Sequence, residues 1–391
     1  MSKRPPSKMK ASQKSLSIGF CYDDSLDKPD GVSQYVKTVG AWLSGQGHEV
    51  TYLVGETAIA QWAGAPVYSL SKNLTVKFNG NRVNTPLLTS KKLISSVLNR
   101  HDFDIIHVQM PYSPFMAQKV IKLANPRTAV MGTFHIYPAG PLARVGSRLL
   151  KLTYRGSLKK FMGVLSVSPP AAKFAKQFFA VDSELSSNVV ELKKFKKAKK
   201  SDQENHIVFL GRLVQRKGCT ELLRAFKLLK ETVPEAKLTI AGDGPMRRKL
   251  ERFVKNNHLG SSITFLGFIN ERDKPKLLGS ATIACFPSLG GESFGIVLIE
   301  AMAAGAGVVI GGHNPGYASV LGGRPETLFD PKNTVQFAKT LENFLTDKRL
   351  AANIQSWQSK LVRNYDIEAV GPVLVEVYRR AIAKAGRSRH N

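Results

Sequence analysis

The sequence predicts an α/β protein made of two doubly wound, Rossmann-like domains facing each other across a cleft. Three observations predict it. The 391 residues exceed what one ordinary hydrophobic core organises. Short apolar runs of strand length alternate with helical stretches in the first half, and a second alternation begins at His206. Between them lies a lysine-rich run, residues 193–200, which repels itself and suits a linker or a solvated edge.

The elements follow in order. Residues 16–22 read as a buried strand, closed by Asp23 and Asp24. Gly31 opens a helix through about residue 44, stopped by Gly45 and Gly47. Strands are expected at 49–54, 104–109, 129–134 and 164–167, and residues 74–83 read as a hairpin. In the second half, strands at 207–209, 236–241, 263–265, 282–286 and 307–310 alternate with helices at 220–231, 245–256, 274–278 and 294–304. Ligands of open α/β sheets lie beyond the carboxyl ends of the strands, so the loops there carry the search for a site.

Composition narrows the function classes. Hydrophobic residues make up 43% and charged residues 22%, the balance of a globular protein. Cys21, Cys219 and Cys285 lie far apart, with no metal-type or paired spacing, and read as reduced, buried thiols. Five lysines and arginines precede Ser15 without a signal-peptide apolar core after them. No apolar run reaches membrane-spanning length. A cytoplasmic protein is expected. The net charge of +28 calls for an acidic partner.

Four segments carry candidate chemistry. In Gly290-Gly291-Glu292-Ser293-Phe294-Gly295-Ile296-Val297-Leu298-Ile299-Glu300, Ser293 reads as the helix N-cap, with Gly305 closing the helix. The amides of Phe294, Gly295 and Ile296 then point into the cleft as a site for an anion or polar group. Glu300 lies eight residues beyond Glu292, two turns deeper on a similar face, among apolar neighbours that a solvated acid does not explain. In Gly211-Arg212-Leu213-Val214-Gln215-Arg216-Lys217-Gly218, after a strand, Arg212 and Lys217 can clamp a diphosphate as fork and point charge. Pro29-Asp30-Gly31-Val32 lets helix amides approach a phosphate, although a lone glycine turn is more often structural. In Thr133-Phe134-His135, His135 ends a strand facing the cleft, with site and structural roles equally open.

Together with Gly242-Asp243-Gly244-Pro245, these segments resemble the retaining GT-B glycosyltransferases of family 4 over nearly the whole chain. Within that family the chain looks most like the phosphatidylinositol mannosyltransferases, through Cys21-Tyr22…Gly31-Val32, Gly47-His48-Glu49-Val50, Thr133-Phe134-His135 and Tyr365-Asp366…Val375-Glu376-Val377-Tyr378. The resemblance implies a first domain over residues 15–198 and a nucleotide-sugar-binding domain over 205–371. It also implies a last helix, about 372–386, packing back on the first domain. Arg212, Lys217 and amides near Gly31 would bind the donor diphosphate, and Glu300 would hold the ribose. Glu292 and the amides of Phe294, Gly295 and Ile296 would contact the transferred sugar, His135 would sit at the sugar and acceptor side, and Phe268 and Ile269 would edge the base. His135, Glu292, Arg212 and Lys217 are the implied catalytic set, and no metal or cofactor is expected. Four positions depart from the family pattern: Asp30-Gly31 for Gly-Gly, Asn188-Val189 for Asn-Gly, Gly305-Ala306-Gly307 for Gly-Thr-Pro, and Tyr365-Asp366 without the following Trp.

The positive charge gathers in residues 142–165. There Arg144, Arg148, Lys151, Arg155 and Lys159 form a basic helical stripe, with Leu142, Val145, Leu149 and Leu152 on another face. Such a helix binds an anionic membrane, each cation adding about 1 kcal/mol or less. The resulting expectation is transfer of mannose from GDP-mannose to a lipid such as phosphatidylinositol, at the inner face of the cell membrane. A UDP-hexose donor with another glycolipid or glycan acceptor stays open. A basic scaffold binding membrane or nucleic acid is the non-enzymatic alternative, but no nucleic-acid-binding module is visible.

Overall fold

The computed structural model describes residues 14–27, 30–78, 81–111, 113, 115–136, 157–195 and 204–387, with the backbone alone for 73–88. Its first sheet contains β1 (Ser17–Tyr22), β2 (Glu49–Val54), β3 (Gln61–Trp62), β4 (Ala65–Ser69), β7 (Ile105–Gln109), β8 (Ala129–Phe134), β9 (Phe161–Ser166) and β10 (Glu184–Leu185). The order is β10-β9-β8-β7-β1-β2-β4-β3, all parallel except the β3–β4 pair. The expected hairpin is a separate two-stranded sheet of β5 (Ser71–Phe78) and β6 (Asn81–Thr89). The second sheet contains β11 (His206–Leu210), β12 (Lys237–Ala241), β13 (Ile263–Gly267), β14 (Ile283–Phe286), β15 (Val308–Gly312) and β16 (Leu328–Phe329). Its order, β13-β12-β11-β14-β15-β16, is that of a doubly wound dinucleotide-type fold.

Both sheets are covered on two faces, which explains their nearly continuous apolar strands. In the first, helix Gly31–Gly45 and the last helix, Ile367–Arg387, share one core with β1 and β2. Helices Lys91–Arg100 and Met116–Leu123 cover the other face. The last helix docks closely: a Cβ at Gly371 would meet the Trp42 ring at 2.6 Å, and Trp42 Nε1 donates to Glu368 Oε2 at 3.1 Å. Tyr378 is fully buried among strands of the first sheet, its hydroxyl 2.7 Å from His107 Nδ1.

A third core joins the domains. Phe134 and Phe174 from the first half lie in one cluster with Phe286, Phe294 and Leu298 from the second. The chain crosses between the halves twice, and the crossings are tied together. Val190 N donates to Tyr365 O at 2.9 Å, and Ile367 N donates to Val190 O at 3.0 Å. Of the lysine run, Lys193 pairs with Glu368 at 2.9 Å, and residues 196–200 lie outside the described residues. All three cysteines are free and buried, as expected. Among the described residues, no helix is long and apolar enough to cross a membrane.

Candidate active site

Each sheet reverses its strand order at one point. In the first that point lies between β1 and β7, and in the second between β11 and β14. The loops leaving these strands therefore line a crevice in each domain. In the second domain they are residues 211–218 and 287–295, the two segments the sequence marked most strongly.

The centre of the site is Glu292. Its Oε1 accepts from Arg216 Nη1, Lys217 Nζ and Ser288 Oγ, each at 2.8 Å. Its side chain is 11% exposed. Burial pushes its carboxyl upward, but Lys217 and Arg216 outweigh this and hold it below the usual range. Arg216 was not among the expected site residues, although it stands beside Lys217 in the basic loop. Arg212 pairs with no carboxylate among the described residues; its surface is open to solvent while neighbouring atoms partly desolvate it. Burial, then Arg216, lowers its affinity for the proton, while Asp30 and Glu292 raise it. A guanidinium with no ion-pair partner among the described residues thus feels acidic groups from both domains.

Residues 242–245 brace this loop rather than face the cleft. Leu213 N donates to Asp243 O at 2.9 Å and Gly211 N to Ala241 O at 3.0 Å. Gly242, at φ 127°, packs so closely that a Cβ would lie 1.9 Å from Gly211 O.

The helix after Glu292 corrects the sequence reading. It spans Ile296–Ala304, and its N-cap is Gly295, not Ser293. Gly295 has φ 97°, and a Cβ there would lie 2.4 Å from the Tyr317 ring, so glycine is required on both counts. The chain turns at this glycine, two residues later than helical periodicity suggested. Glu292 is therefore a loop residue, and Glu292 and Glu300 do not share a helix face. No side chain caps the helix. Among the described residues the amides of Phe294, Gly295 and Ile296 donate no hydrogen bond, which leaves the positive end of the helix free. Phe294 itself is 3% exposed, its ring 5.5 Å from that of Tyr365.

Ser293 bridges the domains instead. Its Oγ donates to His135 O at 2.5 Å, and its own carbonyl accepts from Ser168 Oγ. The ring of His135, expected to face the cleft, is buried: the residue is 5% exposed. Its Nε2 lies 2.7 Å from Gln109 Oε1, and Tyr35 packs on it edge-on at 5.1 Å. Burial pushes its pKa down to about 3, so the imidazole is neutral at physiological pH.

Glu300 is buried, as its apolar sequence neighbours suggested, and it has a cation partner. It is 7% exposed, and its Oε1 accepts from Lys274 Nζ at 2.8 Å. Lys274 also bonds Glu271 Oε2 at 2.8 Å. Burial raises the pKa of Glu300 despite Lys274. Nothing in the sequence linked Lys274 to Glu300, 26 positions away. Glu300 still borders the cleft, lining a pocket with Gln34, Thr38, Lys194, Glu271 and Ile296. Ile269 is partly buried beside this region and Phe268 is 66% exposed.

Across the cleft, Gly31 faces the same helix end, since a Cβ on it would stand 3.8 Å from Ile296 Cγ2. Its helix is capped by the chain itself: Asp30 Oδ1 accepts from Val32 N at 2.9 Å and Ser33 N at 3.1 Å. Those two amides are thus occupied by a carboxylate where the sequence suggested they would meet phosphate. Of the basic stripe, Arg144, Arg148, Lys151 and Arg155 lie outside the described residues, and Lys159 is exposed. Among the described residues, no cluster of three or more His, Cys, Asp or Glu is placed to hold a metal.

Comparison with known proteins covers most of the chain. The model of Glycosyltransferase Family 4 matches residues 29–192, and that of Glycosyl transferases group 1 matches residues 190–358. The chain is 28% identical to a phosphatidyl-myo-inositol mannosyltransferase of Mycolicibacterium smegmatis over 93% of each chain. It is 27% identical to the protein of that name from Propionibacterium freudenreichii, over 96% of this chain and 97% of the other. In fold it is similar to HepE of Anabaena, crystallised with UDP and glucose (TM-score 0.73, 16% identity, 93% of this chain and 99% of the other). It is also similar in fold to the sucrose-phosphate synthase of Thermosynechococcus elongatus (TM-score 0.71, 18% identity, 94% and 99%). Two facing Rossmann-like domains, a basic loop and an uncapped helix at one switch point, and family matches to both halves lead to one conclusion: the chain is an enzyme of the GT-B fold and belongs to the family 4 glycosyltransferases.

Proposed function

We propose that the enzyme transfers a hexose, mannose from GDP-mannose, to a membrane lipid acceptor such as phosphatidylinositol, with retention of anomeric configuration. One observation carries the reading: Arg216 and Lys217 converge on Glu292 just before the free end of helix Ile296–Ala304, and Arg212, unpaired among the described residues, stands in the same loop. In that setting a leaving diphosphate would gather charge. The lipid acceptor is supported by the names of the relatives that match end to end, and by a net charge of +28 suited to an anionic surface. The protein would then act as a peripheral enzyme on the cytoplasmic face of the membrane.

In this mechanism the bond from the anomeric carbon to the β-phosphate oxygen breaks, and its electron pair stays on the phosphate. Arg212 and the helix-end amides lie where that charge develops. Glu292, kept ionised by Arg216 and Lys217, accepts hydrogen bonds from sugar hydroxyls and orients the oxocarbenium-like ring. The acceptor hydroxyl attacks the face the phosphate is leaving and gives its proton to that phosphate. Arg212, the helix dipole and the excess of Arg216 and Lys217 over Glu292 supply the charge neutralisation, so the scheme calls for neither a resident metal nor a cofactor.

The test is turnover of GDP-mannose and of UDP-glucose on anionic vesicles with and without phosphatidylinositol, beside Glu292→Ala. The expected result is mannolipid formation that depends on phosphatidylinositol and is lost in the variant. Turnover of UDP-glucose alone would replace the donor. No turnover of either, with salt-sensitive DNA binding in its place, would overturn the reading.

A further inference from the structure

The mechanism above leaves Asp30 without a role. It stands at the mouth of the cleft, where the N-termini of helices Gly31–Gly45 and Ile296–Ala304 face each other. Its carboxylate is held rigidly by the amides of Val32 and Ser33 and by the Tyr22 hydroxyl, 3.2 Å from both oxygens. Capping alone does not require a charge, since Ser or Asn satisfies the same amides. The charge is felt across the cleft: Asp30 and Glu292 both act on Arg212, which has no ion-pair partner among the described residues. Among the described residues, Asp24 and Lys37 also interact with Asp30, one of each sign. A diphosphate drawn to Arg212 therefore comes within the field of a fixed anion.

That anion treats the two nucleotides of the reaction differently. An intact nucleotide-sugar carries a diphosphate esterified at both ends, with two negative charges. After transfer the terminal phosphate is free, and at neutral pH it loses most of a further proton, its second ionisation lying near 6. We propose that Asp30 is a specificity element that disfavours the spent nucleoside diphosphate more than the intact donor and so promotes product release. The inference rests on the nucleotide-sugar reading above. Arg212 draws both species in, and Asp30 makes the more highly charged one leave. One extra charge in the field of a fixed carboxylate, at the mixed dielectric of a cleft, changes affinity about five- to tenfold.

The experiment is calorimetric titration of the wild type, Asp30→Asn and Asp30→Ser with GDP, UDP and the matching nucleotide-sugars. Asn and Ser keep the helix cap, so melting temperatures of the variants check that the fold is retained. In both variants both nucleotides should bind more tightly, with the gain for GDP about five- to tenfold larger than the gain for GDP-mannose, and progress curves should bend earlier through product inhibition. High salt should shrink the difference. Equal changes for product and donor, or none, would overturn the role of Asp30. If the wild type binds neither nucleoside diphosphate, the nucleotide-sugar reading itself fails and this inference with it.

Discussion

The two walls of the cleft follow the same topological rule and carry opposite chemistry. On the second domain, loops 211–218 and 287–295 bring Arg212, Arg216, Lys217 and Glu292 together around an uncapped helix end. On the first, the corresponding loops present an internally capped helix, whose carboxylate already holds two amides, and a neutral, buried His135. One wall is built to receive negative charge. The other is built to hold its shape, and among its described residues the group nearest the opposing helix end is the carboxylate of Asp30. A transferase that binds an anionic donor on one side and closes over it with the other needs this asymmetry, because cations on both walls would retain the product.

Substitutions on the charged wall should cost the most. Removing Glu292 by Glu292→Ala takes away the carboxylate proposed to orient the sugar and leaves Arg216 and Lys217 without that partner in a partly buried site. Transfer, as kcat/KM, should fall about 10²- to 10³-fold, the cost of deleting one preorganised electrostatic group. The freed cations should meanwhile hold nucleoside diphosphate at least as tightly as in the wild type. Calorimetry beside steady-state kinetics separates the two effects. A loss of transfer matched by an equal loss of nucleotide affinity would show that Glu292 builds the anion site and does not orient the sugar.

The shape-holding wall should show itself in stability against pH. Burial, and for His107 also the neighbouring His135, pushes both imidazoles down to about 3 from an ordinary 6.5. The unfolded chain therefore binds protons that the native state refuses. Stability is fully present above about 6.5 and is lost as pH falls toward 3. Asp23, buried and pushed up to about 7, works in the other direction: its contribution is present below its unfolded value of 3.8 and lost as pH rises through 7. Comparing wild type with His107→Gln isolates one histidine. Between pH 6 and 4, denaturant titrations should give the variant a slope shallower by about 1.4 kcal/mol per pH unit, one proton's worth. An unchanged slope would mean that His107 is already protonated in the folded enzyme.

The same contrast explains what could be read in the sequence. The charged wall was legible because its chemistry is contiguous: seven residues hold Arg212 to Gly218, and thirteen hold the Glu292 loop with its helix. The strands were legible because strands covered on both faces are apolar throughout. Lost from view were the partnerships closed by folding, such as Lys274 with Glu300 and Tyr378 with His107, 271 positions apart. Ser293 was misread for a subtler reason. Ser-x-x at a helix start suggests a cap, but the left-handed turn at Gly295 delays the helix by two residues and turns the serine toward the other domain.

That serine also gives the smallest predicted effect, and the one that bears on how the walls cooperate. Its hydroxyl donates to His135 O while its carbonyl accepts from Ser168, so the residue beside Glu292 is tied to two points of the first domain. Beneath it, the shared core through Phe134, Phe174, Phe286 and Phe294 holds the domains together without help from either bond. Ser293→Ala removes one hydrogen bond worth about 1 kcal/mol and should shift the melting temperature by no more than a few degrees. Its effect should fall on coupling. With the Glu292 loop less firmly set against the acceptor wall, water should compete better for the departing sugar. Transfer should drop less than tenfold while donor hydrolysis holds or rises, and Ser293→Thr should restore the ratio. If transfer and hydrolysis fall together, the hydroxyl serves only the packing of the loop, and the two walls work independently.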